Sequence, residues 1–219
     1  MIDVSQTQAW SEMCAWAVER FHSRTFDREE RIPTRPGLLY IVQSGAVRQV
    51  SLTPDMSEVF VGFAAVGIPF EVSQHDTFQL QAYSHVERTT VMWFYWEDLQ
   101  QWPLIHSQVQ ALLRYQLQRK LLWLGNLGQR RASDRLKGLI MLLVDEYGID
   151  TEEGRAVPWT LTHAQIGDAI GATRVTVTRA LGMLRSEGFV RLVGQNQLCL
   201  PYMSNPGAAD DDLVTEVAA

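Results

Sequence analysis

The segment from 161 to 191, LTHAQIGDAIGATRVTVTRALGMLRSEGFVR, contains two short helical patterns separated by one glycine. Thr162, followed three residues later by Gln165, has the form of a capping box, in which two side chains satisfy backbone groups at a helix start. Gly171 can take the left-handed conformation common after a helix, and Thr173 can accept backbone N–H bonds at the start of the next one. The segment therefore predicts a helix, a tight turn and a second helix.

The second helix of this pair has one apolar side and one basic side. At about 100° per residue, Val177, Leu181 and Leu184 cluster on one side. The remaining surface has no acidic residue between Arg174 and Arg185. A solvated helix face, which is the alternative interpretation, usually mixes both signs of charge, whereas phosphate oxygens and guanine edges repel carboxylates. The composition of this face therefore favours contact with DNA.

The run after this helix, FVRLVGQNQLCL, contains two stretches of β-forming residues around Gly194, Gln195 and Asn196. Such a run predicts a β hairpin. A helix-turn-helix followed by a hairpin is a winged helix-turn-helix module.

The residues from Ala172 to Arg179, ATRVTVTR, resemble the recognition helix of the Crp/Fnr superfamily of bacterial transcription regulators, in particular its cyanobacterial nitrogen-control branch. The resemblance implies an α+β protein with an N-terminal jelly-roll β domain of the cyclic-nucleotide-binding type, a long dimerisation helix and a C-terminal winged helix-turn-helix. It also implies a palindromic site with GTA-like half-sites. Relatives that prefer TGTGA carry a glutamate where this chain has Val175, so that preference is not expected.

The resemblance also implies roles for individual residues. DNA base readout is expected from Arg174, Val175, Thr178 and Arg179. Phosphate contacts or helix capping are expected from Thr162, His163, Thr173 and Thr176.

The net charge of −6 is unusual for a DNA-binding protein, but the charges are unevenly distributed. Residues 1–113 carry seven basic and 13 acidic residues, whereas residues 114–137 carry seven basic and one acidic. The basic charge is thus concentrated in the middle of the chain and in the predicted DNA-binding segment, and a dimer would double this local field.

The cysteine and histidine content excludes several classes of protein. Cys14 and Cys199 are the only cysteines, so one chain can build neither a disulfide framework nor a four-cysteine iron–sulfur site. The five histidines are scattered without metal-ligand spacing, so no metal and no cofactor are expected. The N-terminus does not resemble a signal peptide, and no apolar run reaches about 18 residues, which predicts a cytoplasmic protein without a membrane span.

The N-terminal half has the pattern of a β domain after a short helix. Apolar residues recur at spacings of three and four from Trp10 to Phe21, which predicts an amphipathic helix before the Arg/Glu-rich stretch 24–35. Strands are predicted from Pro36 onwards, and short antiparallel strands of this kind form a sandwich or barrel. In the context of the winged helix, this half resembles the sensor domain of the same superfamily.

The expected effector pocket departs from that of the cyclic-nucleotide-binding relatives. Those relatives hold the ligand with a Gly-Glu pair and a later arginine, but here no arginine occurs from 49 to 87. A buried phosphate without that arginine would lose its main compensation for desolvation, so cyclic AMP is not expected. The candidate pocket residues are Gly67, Phe70, Glu71, Gln79, Gln81, Arg114 and Arg119.

Three alternatives for this pocket remain open. Resemblance to the nitrogen-control branch allows 2-oxoglutarate as effector, held with help from Arg114 and Arg119. Both arginines could instead be solvated or act across a dimer. In the third alternative the pocket is collapsed onto Phe70, Phe78 and Tyr83, and no metabolite controls activity. Gln79 and Gln81 could bond a neutral or carboxylate ligand, but we expect them to be exposed strand residues.

A long helix is predicted from Pro103, because residues 104–124 contain no glycine or proline. Apolar residues at spacings of four and three predict a dimer seam, formed by Leu113, Leu117, Leu121 and Leu124. Further apolar residues are expected to pack on the β domain, namely Leu112, Tyr115, Leu122 and Trp123. The alternative is that one subunit buries all of these leucines itself.

The segment 125–135 is predicted to be a hinge, with Ser133 and Asp134 capping the next helix. Its basic residues, Arg130, Arg131, Arg135 and Lys137, are expected either at flanking phosphates or in solvent.

The predicted domains are a β domain at 1–102, a dimerisation helix at 103–128, a winged helix-turn-helix domain at 129–204 and a disordered acidic tail at 205–219. The predicted function is a homodimeric transcription regulator, not an enzyme, with double-stranded DNA and RNA polymerase as partners. The alternative is a jelly-roll protein that binds a small molecule, or a metal-dependent enzyme, with a degenerate DNA-binding domain.

Overall fold

The structure is a computed structural model, and it describes residues 22–72 and 79–202. The predicted helix at 10–21, Phe78 and the predicted tail at 205–219 lie outside the described residues.

Eight antiparallel strands between residues 22 and 95 form two four-stranded sheets, with strand orders β1-β8-β3-β6 and β2-β7-β4-β5. The strands are β1 (His22–Phe26), β2 (Arg31–Ile32), β3 (Leu38–Ser44), β4 (Ala46–Leu52), β5 (Glu58–Ala65), β6 (Pro69–Phe70), β7 (Gln79–Ser84) and β8 (Thr89–Tyr95). Their buried faces share a core that includes Tyr40, Val47 and Val91. The predicted β domain is confirmed.

The first two strands lie in the Arg/Glu-rich stretch, where no strand was expected. In β1 only Phe26 is buried, and in β2 only Ile32 is buried, so neither strand shows an alternating apolar pattern. Arg24 forms an ion pair with Glu30 at 2.7 Å on the exposed surface. The two strands exist because β8 and β7 supply their backbone partners, which sequence periodicity does not reveal.

Residues 96–202 contain five helices. They are α1 (Trp96–Leu99), α2 (Pro103–Leu127), α3 (Ala132–Tyr147), α4 (His163–Ile170) and α5 (Arg174–Ser186). A third sheet of order β11-β12-β10-β9 completes the C-terminal domain. Its strands are β9 (Ile149–Thr151), β10 (Gly154–Ala156), β11 (Arg191–Val193) and β12 (Gln197–Pro201). The predicted wing is β11 and β12, whereas the hairpin β9–β10, which widens its sheet, was not predicted.

Helix α2 has one end packed on the β domain and a leucine surface that this chain leaves exposed. Leu112 is buried and Leu113 is partly buried against the β domain. Leu117, Leu121 and Leu124 are 61%, 59% and 65% exposed, so the alternative in which one subunit buries them is wrong. Leu122 is also exposed, contrary to the expected packing on the β domain, because it lies on a different side of α2 from Lys120 and Trp123, which contact β5.

The connection between α2 and α3 is short, and it differs from the predicted hinge in its caps. Gly125 lies inside α2, and Gly128 follows its last residue. Arg131 precedes α3 without a side-chain cap, and its carbonyl accepts bonds from the N–H groups of both Asp134 and Arg135. Ser133 and Asp134 therefore lie within the first helical turn, and the expectation that they cap α3 is wrong.

Candidate DNA-recognition surface

Both ends of α4 are fixed by the residues expected from the sequence. The Thr162 hydroxyl accepts a hydrogen bond from the backbone N–H of Gln165 at 3.1 Å, and Gln165 Oε1 accepts one from the N–H of Thr162 at 3.0 Å. Gly171 follows the helix with φ of 61°, a left-handed conformation that glycine adopts without a Cβ penalty. These local interactions set the tight turn into α5.

Helix α5 starts at the residue after Thr173, whose hydroxyl accepts a hydrogen bond from the N–H of Thr176 at 3.2 Å. Val177, Leu181 and Leu184 are buried against the rest of the C-terminal domain. The opposite side is exposed, and we call it the recognition face; it consists of Arg174, Val175, Thr178 and Arg179.

The recognition face combines an exposed apolar side chain with two exposed guanidinium groups. Val175 is 67% exposed, which suits contact with a thymine methyl group. Among residues 22–72 and 79–202, Arg174 and Arg179 form no ion pair, whereas Arg48 and Arg119 each bind two carboxylates. Two guanidinium groups on this face are therefore available for phosphate oxygens or guanine edges.

A hydrogen-bond relay joins the start of α4 to the recognition face. The Thr178 hydroxyl donates its single proton to the Arg174 carbonyl at 2.9 Å. It must therefore accept a hydrogen bond from the N–H of His163 Nδ1, which lies 2.8 Å away. This relay fixes the rotamer of Thr178 and places His163 beside the recognition face.

Two side chains from outside the helix pair support its turn. The indole Nε1 of Trp123 donates to the carbonyl of Ala169 at 3.1 Å. The guanidinium of Arg135 donates to the carbonyls of Ile170 at 2.7 Å and Gly171 at 3.3 Å, where α4 ends. The expectation that Arg135 is solvated or contacts phosphate is wrong, since it holds backbone carbonyls, and a cation suits the C-terminal end of a helix.

Among residues 22–72 and 79–202, the candidate effector residues lie in different surroundings. The Phe70 ring is buried in the β-domain core and stacks on Tyr40 with centroids 5.3 Å apart. Gly67 forms a turn with φ of 79°, while Glu71 and Gln79 are exposed. Desolvation raises the pKa of the Glu71 carboxyl.

Gln81 and Arg119 are both engaged within the chain. Gln81 is buried, contrary to the expected exposure. Its Oε1 accepts a hydrogen bond from the Tyr83 hydroxyl at 2.9 Å, which satisfies this polar group in the interior. Arg119 binds Asp145 at 2.6 Å and Glu146 at 3.1 Å, so it is neither solvated nor reserved for a partner subunit. The two arginines expected to hold an anionic effector therefore differ in this structure: Arg119 is bound to two carboxylates of the same chain, whereas Arg114 is exposed.

The described residues contain neither a candidate metal site nor a membrane-spanning helix. No group of three or more His, Cys, Asp or Glu side chains in 22–72 and 79–202 is arranged to hold a metal ion. Within the same ranges, no helix has the length and apolarity needed to cross a membrane.

Comparison with known proteins identifies the domain that carries the recognition face. Residues 119–203 match the model of the Crp-like helix-turn-helix domain. The global nitrogen regulator of Synechococcus elongatus is 34% identical over 89 residues, which is 41% of this chain and 40% of that protein. The regulatory protein CysR of the same organism is 28% identical over 174 residues, covering 76% of this chain and 78% of that protein.

Among solved structures, FixK2 from Bradyrhizobium japonicum superimposes with a TM-score of 0.67 at 22% identity. The superposition covers 82% of this chain and 92% of FixK2. The overall fold is thus shared with FixK2 over most of the chain, whereas the sequence match to the nitrogen regulator spans 40% of that protein.

Proposed function

We propose, on the premise that this chain is a member of the Crp/Fnr superfamily, that it regulates transcription by binding a palindromic promoter site as a homodimer. The observation that carries the proposal is the recognition face, with its two unpaired arginines and no acidic residue. The matched domain at 119–203 supports it, because that domain contains α4, α5 and the wing.

The residues of the recognition face suit direct contacts in the major groove. Arg174 and Arg179 each present a planar fork that can bind guanine O6 and N7. Val175 would contact a thymine methyl group, and the Thr178 methyl group would lie beside it. The relay through His163 would keep these side chains in one orientation before DNA arrives, which lowers the entropy lost on binding.

Phosphate contacts are proposed at the starts of α4 and α5. The hydroxyls of Thr162 and Thr173 already accept backbone N–H bonds, so their contribution would be to hold the helix ends in place. The free N–H groups and the positive dipole at each helix start attract phosphate. Thr176 is proposed to bind a phosphate oxygen through its hydroxyl. His163 would bind one through a protonated Nε2, while its Nδ1 keeps the bond to Thr178.

The dimer is proposed to form along α2. Leu117, Leu121 and Leu124 are spaced by four and three residues and are exposed in one chain, as a helix–helix seam requires. Two recognition helices related by such a seam would contact half-sites about 34 Å apart, which is one turn of DNA. We propose RNA polymerase as a further partner, because it binds the same promoters that the regulator would bind.

The proposed domains are a β domain up to residue 102, a dimerisation helix at 103–128 and a DNA-binding domain at 129–204. We do not propose cyclic AMP as effector, because Phe70 fills the core and no arginine occurs from 49 to 87. An anionic effector such as 2-oxoglutarate would have to displace Asp145 and Glu146 from Arg119 before that arginine could bind it.

The test is selection of bound sequences from a pool of random DNA duplexes by the full-length protein. We expect enrichment of one palindrome with two symmetric half-sites, and an affinity that falls steeply as salt concentration rises. A pool that remains random after repeated selection would overturn the proposal. Repeating the selection with 2-oxoglutarate and with cyclic AMP would show whether either ligand changes the enrichment.

A further inference from the structure

Strand β5 is at the edge of its sheet, and the C-terminal half of the chain covers that edge. The outward carbonyl of Val61 accepts a hydrogen bond from Lys120 Nζ at 2.8 Å, and the carbonyl of Phe63 accepts one from the Tyr147 hydroxyl at 3.0 Å. Lys120 belongs to α2 and Tyr147 to the end of α3. Two consecutive outward carbonyls of an edge strand are therefore bound by side chains from two different helices.

Gly62 lies between these two carbonyls, and both its backbone conformation and the position of Lys120 favour glycine there. A Cβ at position 62 would collide with the Lys120 ammonium group, and the φ of 150° at this residue is one that other residues rarely adopt. Lys120 also lies 3.4 Å from Gln49 Oε1. Burial lowers the pKa of Lys120 to about 8, so the chain keeps a lysine here against a desolvation cost.

Aromatic rings join the same two parts of the molecule. The Phe63 ring lies 4.8 Å from the His85 ring and 5.6 Å from the Trp159 ring, and Tyr147 lies 5.1 Å from Trp159. His85 Nε2 donates to the carbonyl of Thr160 at 3.0 Å. Phe63 and His85 come from the β domain, whereas Tyr147, Trp159 and Thr160 come from the C-terminal domain.

These contacts add to the direct bond from Trp123 on α2 to the Ala169 carbonyl in α4, so several side chains hold the helix pair relative to α2. The covalent link between α2 and α3 is only Gly128 to Arg131, and its residues are exposed. Arg119 on α2 adds the ion pairs with Asp145 and Glu146 on α3. The DNA-binding domain is thus attached to the dimerisation helix by side-chain contacts, more than by the short link itself.

We infer that Gly62, Lys120 and Tyr147 form a clamp, here called the β5 clamp, that fixes the separation of the two recognition helices and thereby the half-site spacing the dimer accepts. The inference rests on the proposed function. A rigid attachment lets both recognition helices bind one spacing without losing further conformational freedom, whereas a loose attachment accepts several spacings and binds each less tightly.

The test uses full-length Lys120→Met/Tyr147→Phe, which removes both donors and keeps most of the apolar volume. Tyr147→Phe alone is the milder variant, and Gly62→Ala displaces Lys120 from the other side. Tyr83→Phe is the matched control, because it removes one bonded tyrosine hydroxyl from the β domain away from the clamp.

Affinity is measured on duplexes in which the spacer between the selected half-sites is lengthened or shortened by one and two base pairs, and on a single half-site. We expect the double variant to lose about tenfold in affinity at the best spacing, because a loosely attached domain loses conformational freedom when both half-sites are bound, with half-site affinity unchanged and a flatter spacing profile. Tyr83→Phe should behave as wild type. An unchanged spacing profile, or tighter binding at the best spacing, would overturn the inference.

Trypsin cleavage provides a measurement that does not depend on DNA. Arg130 and Arg131 lie in the exposed link, and we expect cleavage after them to be several-fold faster in the double variant than in wild type or Tyr83→Phe. Unchanged cleavage would overturn the clamp itself. Faster cleavage in a protein whose wild type shows no sequence preference would instead overturn the proposed function and, with it, the role in spacing.

Discussion

His85 should make the contact between the β domain and the C-terminal domain sensitive to acid. Its imidazole is 1% exposed, and its Nε2 must carry the proton, because the Thr160 carbonyl at 3.0 Å can only accept. Among the described residues, Nδ1 has no hydrogen-bond partner. Protonation would place a second N–H in this buried position without an acceptor, which carries a free-energy cost.

The magnitude follows from the pKa of His85, which burial lowers from 6.5 to about 4, while the Thr160 carbonyl and Glu29 oppose the shift and Arg48 and Arg28 add to it. As pH falls, the unfolded chain takes up the proton first, so the stability is present above pH 6.5 and is lost towards pH 4. With about 1.4 kcal/mol for each pKa unit, the loss at pH 4.5 is about 2.5 kcal/mol.

The assay is urea unfolding followed by tryptophan fluorescence at pH 7.5 and pH 4.5. His85→Gln keeps an N–H donor for the Thr160 carbonyl but does not titrate, and His22→Gln is the control at an exposed histidine. We expect wild type and His22→Gln to lose about 2.5 kcal/mol more than His85→Gln between the two pH values. Equal losses in wild type and His85→Gln would refute the assignment of acid sensitivity to this imidazole.

Three further predictions concern the helix pair and the seam. Thr162→Ala should lower the free energy of unfolding by about 1 kcal/mol, because the side-chain oxygen that caps α4 is lost. Thr162→Ser keeps that oxygen and should be as stable as wild type; equal thermal stability of Thr162→Ala and Thr162→Ser would contradict this. Gly171→Ala should also cost about 1 kcal/mol in urea unfolding, through its left-handed backbone alone, because no atom lies within 4 Å of the added Cβ. Leu117→Lys/Leu121→Lys should convert a dimer to a monomer in sedimentation velocity with unchanged circular dichroism, whereas Arg114→Ala should not; a persistent dimer would exclude this seam.

The helix-turn-helix could be predicted because its signals are local. The capping box of Thr162 and Gln165 spans three residues, and Gly171 and Thr173 determine the turn without help from distant parts of the chain. The strands β1, β2, β9 and β10 could not be predicted in this way. All four are short and lack an alternating apolar pattern. The backbone partners of β1 and β2 come from far away in the sequence, and the local hairpin β9–β10 joins a larger sheet only through the distant strand β12.

The roles of several charged side chains depend on partners that no short pattern contains. Lys120 meets the Val61 carbonyl, which is 59 residues earlier, and Arg135 meets the Ile170 carbonyl, which is 35 residues later. From the sequence, Arg135 was expected in solvent or at flanking phosphates, and no role was predicted for Lys120. The exposed arginines of the recognition face were easier to predict, because their exposure follows directly from the helical positions of Val177 and Leu181.

The central claim is that the recognition face determines which DNA sequence is bound, and Arg179→Ala tests it most directly. Site selection and equilibrium binding should be compared with wild type and with Arg24→Ala, which removes the same charge from β1 in the β domain. We predict that Arg179→Ala loses about 1–3 kcal/mol of binding free energy and its preference at one symmetric pair of positions, while Arg24→Ala keeps both. Unchanged affinity and an unchanged selected sequence for Arg179→Ala would contradict the claim.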